Sequence, residues 1–154
     1  MPKIAQGITT QWQRFDDLSA TALYELLRFR QEIFVVEQRS PYRDLDGLDQ
    51  DARHLLLHAD DMLAGYLRLL PPADLESAVR IGRVAVAAAR RGQDLGRRLM
   101  TEALSFCAKN YPAQSIALSA QLHLKRFYRG FGFAEIGPPY DDFGVSHIDM
   151  RLHK

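Results

Sequence analysis

The stretch Val84-Ala85-Val86-Ala87-Ala88-Ala89-Arg90-Arg91-Gly92-Gln93-Asp94-Leu95-Gly96-Arg97-Arg98 reads as a strand that feeds a short turn, which in turn feeds a helix. A helix start presents unpaired N–H groups and a partial positive charge, and so attracts phosphate. Glycines such as Gly92 and Gly96 let a backbone approach an anion closely. Arg90, Arg91, Arg97 and Arg98 crowd the same segment and can pair with phosphate oxygens. Two common phosphate motifs do not fit. A P-loop needs Lys and Ser or Thr after its second glycine, and Arg97-Arg98 follow Gly96. The spacing G-x-G-x-x-G is absent as well. The residues alone leave two readings open, a phosphate-binding turn or a glycine turn flanked by solvated arginines.

Outward from this turn the hydrophobic period changes element by element. Gly7 to Phe15 reads as a strand. From Ser19 to about Val35, Leu23, Leu26, Leu27, Arg30, Ile33 and Phe34 recur at helical spacing, with Ser19 as N-cap. Arg39 to Asp51 is polar and loop-like. His54–Ala59 and Met62–Leu70 form a hairpin about Asp60-Asp61, and Val79–Val86 is the next strand. Leu95, Leu99, Met100, Ala103, Leu104 and Cys107 make one helix stripe that ends near Pro112. Ser115–Ser119 is a strand and Leu122–Phe131 a short helix. Phe133–Ile136 and His147–Leu152 close the chain as strands. The order β-α-β-β-β-α-β-α-β-β implies a mixed sheet with helices packed on its faces. Pro and Gly breaks are loop-sized, so residues 1–154 read as a single domain.

Composition narrows the function classes. The chain has 154 residues, 20 Lys and Arg against 19 Asp and Glu, and a net charge of +1, which speaks against a nucleic-acid partner. One cysteine excludes an intrachain disulfide framework and a multi-cysteine zinc site, and suits a reduced, cytoplasmic setting. Cys107 sits in the apolar helix stripe, as a packing thiol does. No apolar run reaches the ~20 residues that span a bilayer, and the N-terminus lacks a signal-peptide core. No metal is expected. The acidic run Asp44 to Asp51 misses calcium-loop spacing, with Gly47 fourth and Leu55 twelfth. Its carboxylates either attract a cationic amine or form a solvated loop held by Arg43 and Arg53.

Arg91-Gly92-Gln93-Asp94-Leu95-Gly96 resembles the [RQ]-x-x-G-x-[GA] turn of the GNAT acyl-CoA N-acyltransferases. Leu124-Lys125-Arg126-Phe127-Tyr128-Arg129-Gly130-Phe131-Gly132-Phe133 resembles that family's F-Y-x-x-x-G-F segment. Leu26 to Arg30, Phe34 to Gln38, Pro41-Tyr42, Asp46-Gly47, Arg68 to Pro71, Ile81 to Val84, and Pro139-Tyr140 through His147-Ile148 resemble the ElaA-like subgroup. The resemblance implies an α/β (α+β) fold with a mixed, mostly antiparallel sheet of about six or seven strands and helices on both faces. It implies acetyl-CoA as co-substrate and a small-molecule or peptide amine as acceptor. Val84, Ala85 and Val86 would meet the pantetheine arm and the thioester carbonyl, and Arg91 to Gly96, with Arg97 nearby, would cradle the pyrophosphate. Gln121 stands where many members carry Asn.

Asp94 replaces the family's usual glycine. Asp tolerates positive φ and makes a good N-cap, yet its carboxylate would lie near a diphosphate. Weakened cofactor binding is the expectation. For catalysis the resemblance assigns Tyr128 as general acid to the CoA thiolate; an aromatic core role beside Phe127, Phe131 and Phe133 is the alternative. Glu37, His54 and His147 are the candidate bases. Glu37 follows Phe34-Val35-Val36, which would partly desolvate it, or it pairs with Arg28 or Arg30. His54 and His147 each have a structural alternative. The function expected is transfer of acetyl to a primary amine by direct attack; the rival is a non-catalytic acyl-CoA-binding or interaction domain on the same fold, compromised by Asp94. Exposed strand edges permit a homodimer.

Overall fold

A computed structural model describes residues 7–153. Residues 1–6, where the N-terminus was read for a leader, lie outside that range. The ten principal elements follow the expected order: β1 (Ile8–Arg14), α1 (Ala20–Gln31), β2 (Arg53–Ala59), β3 (Met62–Leu70), β4 (Val79–Val86), α2 (Leu95–Asn110), β5 (Ile116–Gln121), α3 (Lys125–Arg129), β6 (Ala134–Asp142) and β7 (Val145–Leu152). They build one seven-stranded sheet in the order β1-β2-β3-β4-β5-β7-β6. Only β4 and β5 pair in parallel; every other neighbouring pair is antiparallel.

Strand alternation sends apolar side chains to both faces. Leu55, Leu57, Leu67 and Leu69 meet Leu95, Leu99, Met100, Ala103 and Cys107 of α2 in the main core. Leu56 and Tyr66 point to the opposite face and meet Leu26 of α1. Ser19 caps α1 as expected, its Oγ accepting from the Ala22 N–H at 3.0 Å. The helical path then widens into a π-helical turn over Glu32–Glu37, the kind of irregularity that often accompanies functional sites.

Three strand boundaries differ from expectation by two residues or more, among them that of β7, which begins at Val145 rather than His147. β6 continues through Gly137-Pro138-Pro139 to Asp142, where the sequence signalled a break. It is an edge strand with a register shift between Ile136 and Tyr140, and such a strand tolerates prolines that cannot donate to a ladder. β5 extends to Gln121, two residues past Ser119, because β7 pairs with it as far as His147.

Two irregularities of β4 shape the site. First, the β3–β4 ladder shifts register between Tyr66 and Arg68, leaving Arg83 and Val84 opposite Leu67 alone. Arg83 there adopts φ 54°, a bulge conformation that is uncommon for a residue with a side chain. Second, β4 pairs with β5 only over Val79–Ile81 against Ile116–Leu118. Beyond Leu118 the two strands share no ladder, so a wedge opens between Val84–Val86 and Ser119–Gln121.

Candidate functional site

The wedge holds two adjoining cavities. The larger, about 470 Å³, runs from Arg91 and Gly96 along Val84, Ala85 and Val86 to Gln121 and Tyr128, with Glu37 on its rim. The smaller, about 230 Å³, is lined by Tyr42, Arg80, Arg83, Ser119, Tyr140 and His147 among others. Phe34, Gln38, Val84, Gln121, Leu124 and Tyr128 border both. A groove therefore leads from the turn before α2 to the phenol of Tyr128 and on into a second chamber.

At the turn, Gly92 takes φ 83° and Asp94 takes φ 61°, ψ 21°. The Arg98 N–H donates to the Asp94 carbonyl at 3.1 Å, so the amides at the start of α2 precede the first intrahelical bond. Asp94 thus supplies the left-handed backbone but not the side-chain cap expected of it. A left-handed cap residue turns its side chain away from the N–H groups of N2 and N3, which an N-cap in the β region would reach.

Each of the four arginines has a partner within the protein. Arg90 pairs with Asp60 and Arg98 with Glu102. Arg97 lies over the Phe131 ring, 5.7 Å from its centroid. Arg91 holds Glu37 with two N–H···O bonds of 2.7 and 3.0 Å, and its Nε donates to the Val86 carbonyl at 3.2 Å. Exposed pairs of this kind are worth at most ~1 kcal/mol and exchange readily for a better anion. Glu37 accordingly bridges the end of α1 to the turn, rather than pairing with Arg28 or Arg30, and its side chain is 41% exposed, not desolvated.

His54 stands apart from the groove. It is fully buried, with Nε2 2.9 Å from the Asp49 carbonyl and Nδ1 2.5 Å from the Tyr66 hydroxyl. Burial pushes its pKa below the ordinary histidine value. The carbonyl can only accept, so Nε2 carries the hydrogen and Nδ1 accepts from Tyr66. His147 does reach the smaller cavity. Its Nδ1 sits 2.8 Å from the Val145 carbonyl, which leaves Nε2 as the acceptor nitrogen, and its ring stacks on Tyr140 at 6.2 Å. Tyr128 is 6% exposed, packs edge-on against Phe127 and Phe133, and also borders both cavities. Burial raises its pKa, so the phenol is protonated at neutral pH. Leu95 buries its side chain in the main core, and only its backbone belongs to the turn.

Much of the acidic loop is exposed, but Asp44 and Asp49 are buried, and its carboxylates are held by arginines other than Arg43 and Arg53. Asp44, Asp46 and Asp49 turn inward onto Arg30, Arg68 and Arg83. Arg30 donates to Asp44 at 2.9 Å and to Asp49 at 2.7 Å while fully buried. Arg68 reaches Asp46 at 2.7 and 2.8 Å and Asp49 at 3.0 Å. Arg83 holds Asp44 at 2.9 Å and Asp46 at 3.2 Å, with its guanidinium 4.9 Å over the Tyr42 ring. The positive-φ bulge is thus clamped by two carboxylates. Burial would raise the Asp46 carboxyl, but hydrogen bonds from Arg68 and the Leu48 amide pull it down to about 2. Ser40 Oγ donates to the Phe143 carbonyl at 2.7 Å and ties the same loop to the β6–β7 turn. The sequence signal for this cluster was the placing of Arg30 and Arg68 within apolar runs, where an unpaired charge would be too costly. Among the described residues no group of three or more His, Cys, Asp or Glu is placed to hold a metal ion.

Residues 17–154 match the family model described as Acetyltransferase (GNAT) domain. The chain belongs to the GNAT acetyltransferase family. It is 42% identical over 144 residues to Protein ElaA of Escherichia coli, covering 91% of this chain and 94% of that one. The UPF0039 protein of Synechocystis is likewise 42% identical over 144 residues, covering 93% and 94%. The crystal structure of E. coli ElaA superposes with a TM-score of 0.88 over 95% of this chain and 99% of that chain. An acyl-CoA N-acyltransferase from Pseudomonas aeruginosa, 40% identical, superposes with a TM-score of 0.89 over 95% and 99%. The ElaA-like resemblance and the mixed, mostly antiparallel GNAT sheet are therefore both established for this chain. No described helix is long and apolar enough to cross a membrane.

The buried cluster sets two expectations. Asp49→Ala leaves Arg30 and Arg68 short of a partner and should cost about 3–5 kcal/mol in urea unfolding. Asp46 ionises more readily folded than unfolded, so its stabilisation is complete above about pH 4 and fades as the pH falls through about 2. Chemical denaturation midpoints measured across that window should fall with acidification, and less so in Asp46→Asn.

Proposed function

We propose that this protein transfers an acetyl group from acetyl-CoA to a primary amine by direct attack, with no acyl-enzyme intermediate. The observation that carries the reading is the continuous groove from the α2 turn, past Val84–Val86, to Tyr128. The amides opening α2, between Gly92 and Gly96, and a released Arg91 would hold the diphosphate. Gln93 and Arg97 flank that site. The pantetheine arm would lie in the wedge where β4 no longer pairs with β5, against the main chain of Val84, Ala85 and Val86. Gln121 would contribute its amide from the opposite wall.

The acceptor would enter through the smaller cavity. An alkylammonium group has an ordinary pKa of ~10.4 and must shed a proton before attack. His147, whose Nε2 is the acceptor nitrogen, is the best placed of the three candidate bases. Glu37 is tied to Arg91 and His54 is enclosed by the core. Backbone N–H groups at the β4 irregularity would meet the developing oxyanion. Tyr128 would donate to the departing thiolate, and because burial disfavours its phenolate, that proton must be restored as product leaves.

Asp94 supports a second reading, a domain that holds acyl-CoA without turning it over. Like charges ~4 Å apart repel by ~1 kcal/mol in water and ~4 kcal/mol at a partly buried site. Acetyl-CoA titration by calorimetry should show Asp94→Gly binding about tenfold tighter than wild type. An amine-library screen for CoA release separates the readings: turnover with any primary amine supports transfer. Tyr128→Phe should then lower kcat by about 100-fold or more with the acetyl-CoA Kd within about twofold. Intact turnover in that variant places the proton donor elsewhere.

A further inference from the structure

Beyond the acceptor chamber lies another cavity of about 560 Å³, lined by Arg80, Arg151, Leu70 and Pro71 among others. Arg80 borders both this cavity and the acceptor chamber. In the sheet, Arg80 of β4 aligns with Ala117 of β5, and Ala117 aligns with Arg151 of β7. The two arginines therefore stand two strand spacings apart, roughly 10 Å, on the same face. Between them stands the short side chain of Ala117.

Among the described residues, Arg80 and Arg151 form no ion pair, although Arg30, Arg68 and Arg83 nearby are each bound to aspartates. The Arg151 Nε is buried and lacks a hydrogen-bond partner. A buried donor without a partner is destabilising, and an incoming acceptor would relieve it. Asp51 and Glu76 also line the cavity; they are exposed, as Arg80 is, so solvent screens all three, and the half-buried Arg151 faces the least competition.

We infer that the acceptor amine bears a carboxylate or phosphate at its far end, and that Arg80 and Arg151 grip this anion. The inference rests on the transferase reading above. Guanidinium forks suit both anions, since each offers oxygens for paired N–H···O bonds. Arg80 lies two residues before Gly82 and four before Val84 along β4, roughly 7 to 13 Å. The amine and the anion are thus separated by several carbons, as in an ω-amino acid or an aminoalkyl phosphate rather than an α-amino acid.

The test compares CoA release with 6-aminohexanoate, its uncharged amide, and 5-aminopentyl phosphate, alongside acetyl-CoA titration of each protein. In wild type, at least one of the two anionic amines should exceed the amide in kcat/KM by tenfold or more, and whichever wins identifies the anion. In Arg80→Gln and in Arg151→Gln that ratio should fall towards one. A ratio of one or below in wild type overturns the inference, as does a preference that survives both substitutions. Acetyl-CoA binding without release by any of the three amines also overturns it while leaving transfer to other amines standing. Failure to bind acetyl-CoA instead removes the transferase reading itself.

Discussion

The Arg83 bulge, held at positive φ by Asp44 and Asp46, is the constraint on which the groove depends. A non-glycine residue in that conformation costs of order 1–3 kcal/mol and persists only where its surroundings over-determine it. Here they do. Arg30 and Arg68 fix the same aspartates and Asp49 from the α1 side and from β3, so the clamp belongs to a network rather than to one pair. Removing one member leaves the others charged and buried, which is why such clusters resist piecemeal change.

That network joins parts of the chain that function requires in register. It draws the loop after α1 over β3 and β4, which brings Tyr42 beneath the Arg83 guanidinium and Ser40 against Phe143. Those contacts wall the smaller cavity. On the other side of the bulge, β4 has parted from β5, and α2 begins where the larger cavity opens. The opening between the strands is thus a product of strand pairing that stops early, and the turn before α2 sits at its mouth.

Most of the architecture was legible from residue order. The stripe from Leu95 to Cys107 fixed α2, and Asp60-Asp61 marked the hairpin between β2 and β3. Ser19 marked the start of α1. The turn Arg91 to Gly96 was visible as chemistry because glycine, arginine and a helix start coincide there. The partners of charged side chains were not. Glu37 reaches Arg91 across 54 positions, and Arg83 reaches Asp44 across 39. Long-range pairs of this kind follow from topology and leave no local period. For His54 the structural alternative holds, although its strand position named neither Tyr66 nor Asp49 as the partners that enclose it. The extension of β6 through two prolines escaped detection since only an edge position allows it.

A crystal structure with CoA bound tests the account most directly. The diphosphate should lie against the amides between Gly92 and Gly96, Arg91 should turn away from Glu37, and the thiol-bearing arm should run between β4 and β5 with its sulfur beside Tyr128. CoA seated outside that wedge, or a sulfur remote from the phenol, would contradict it.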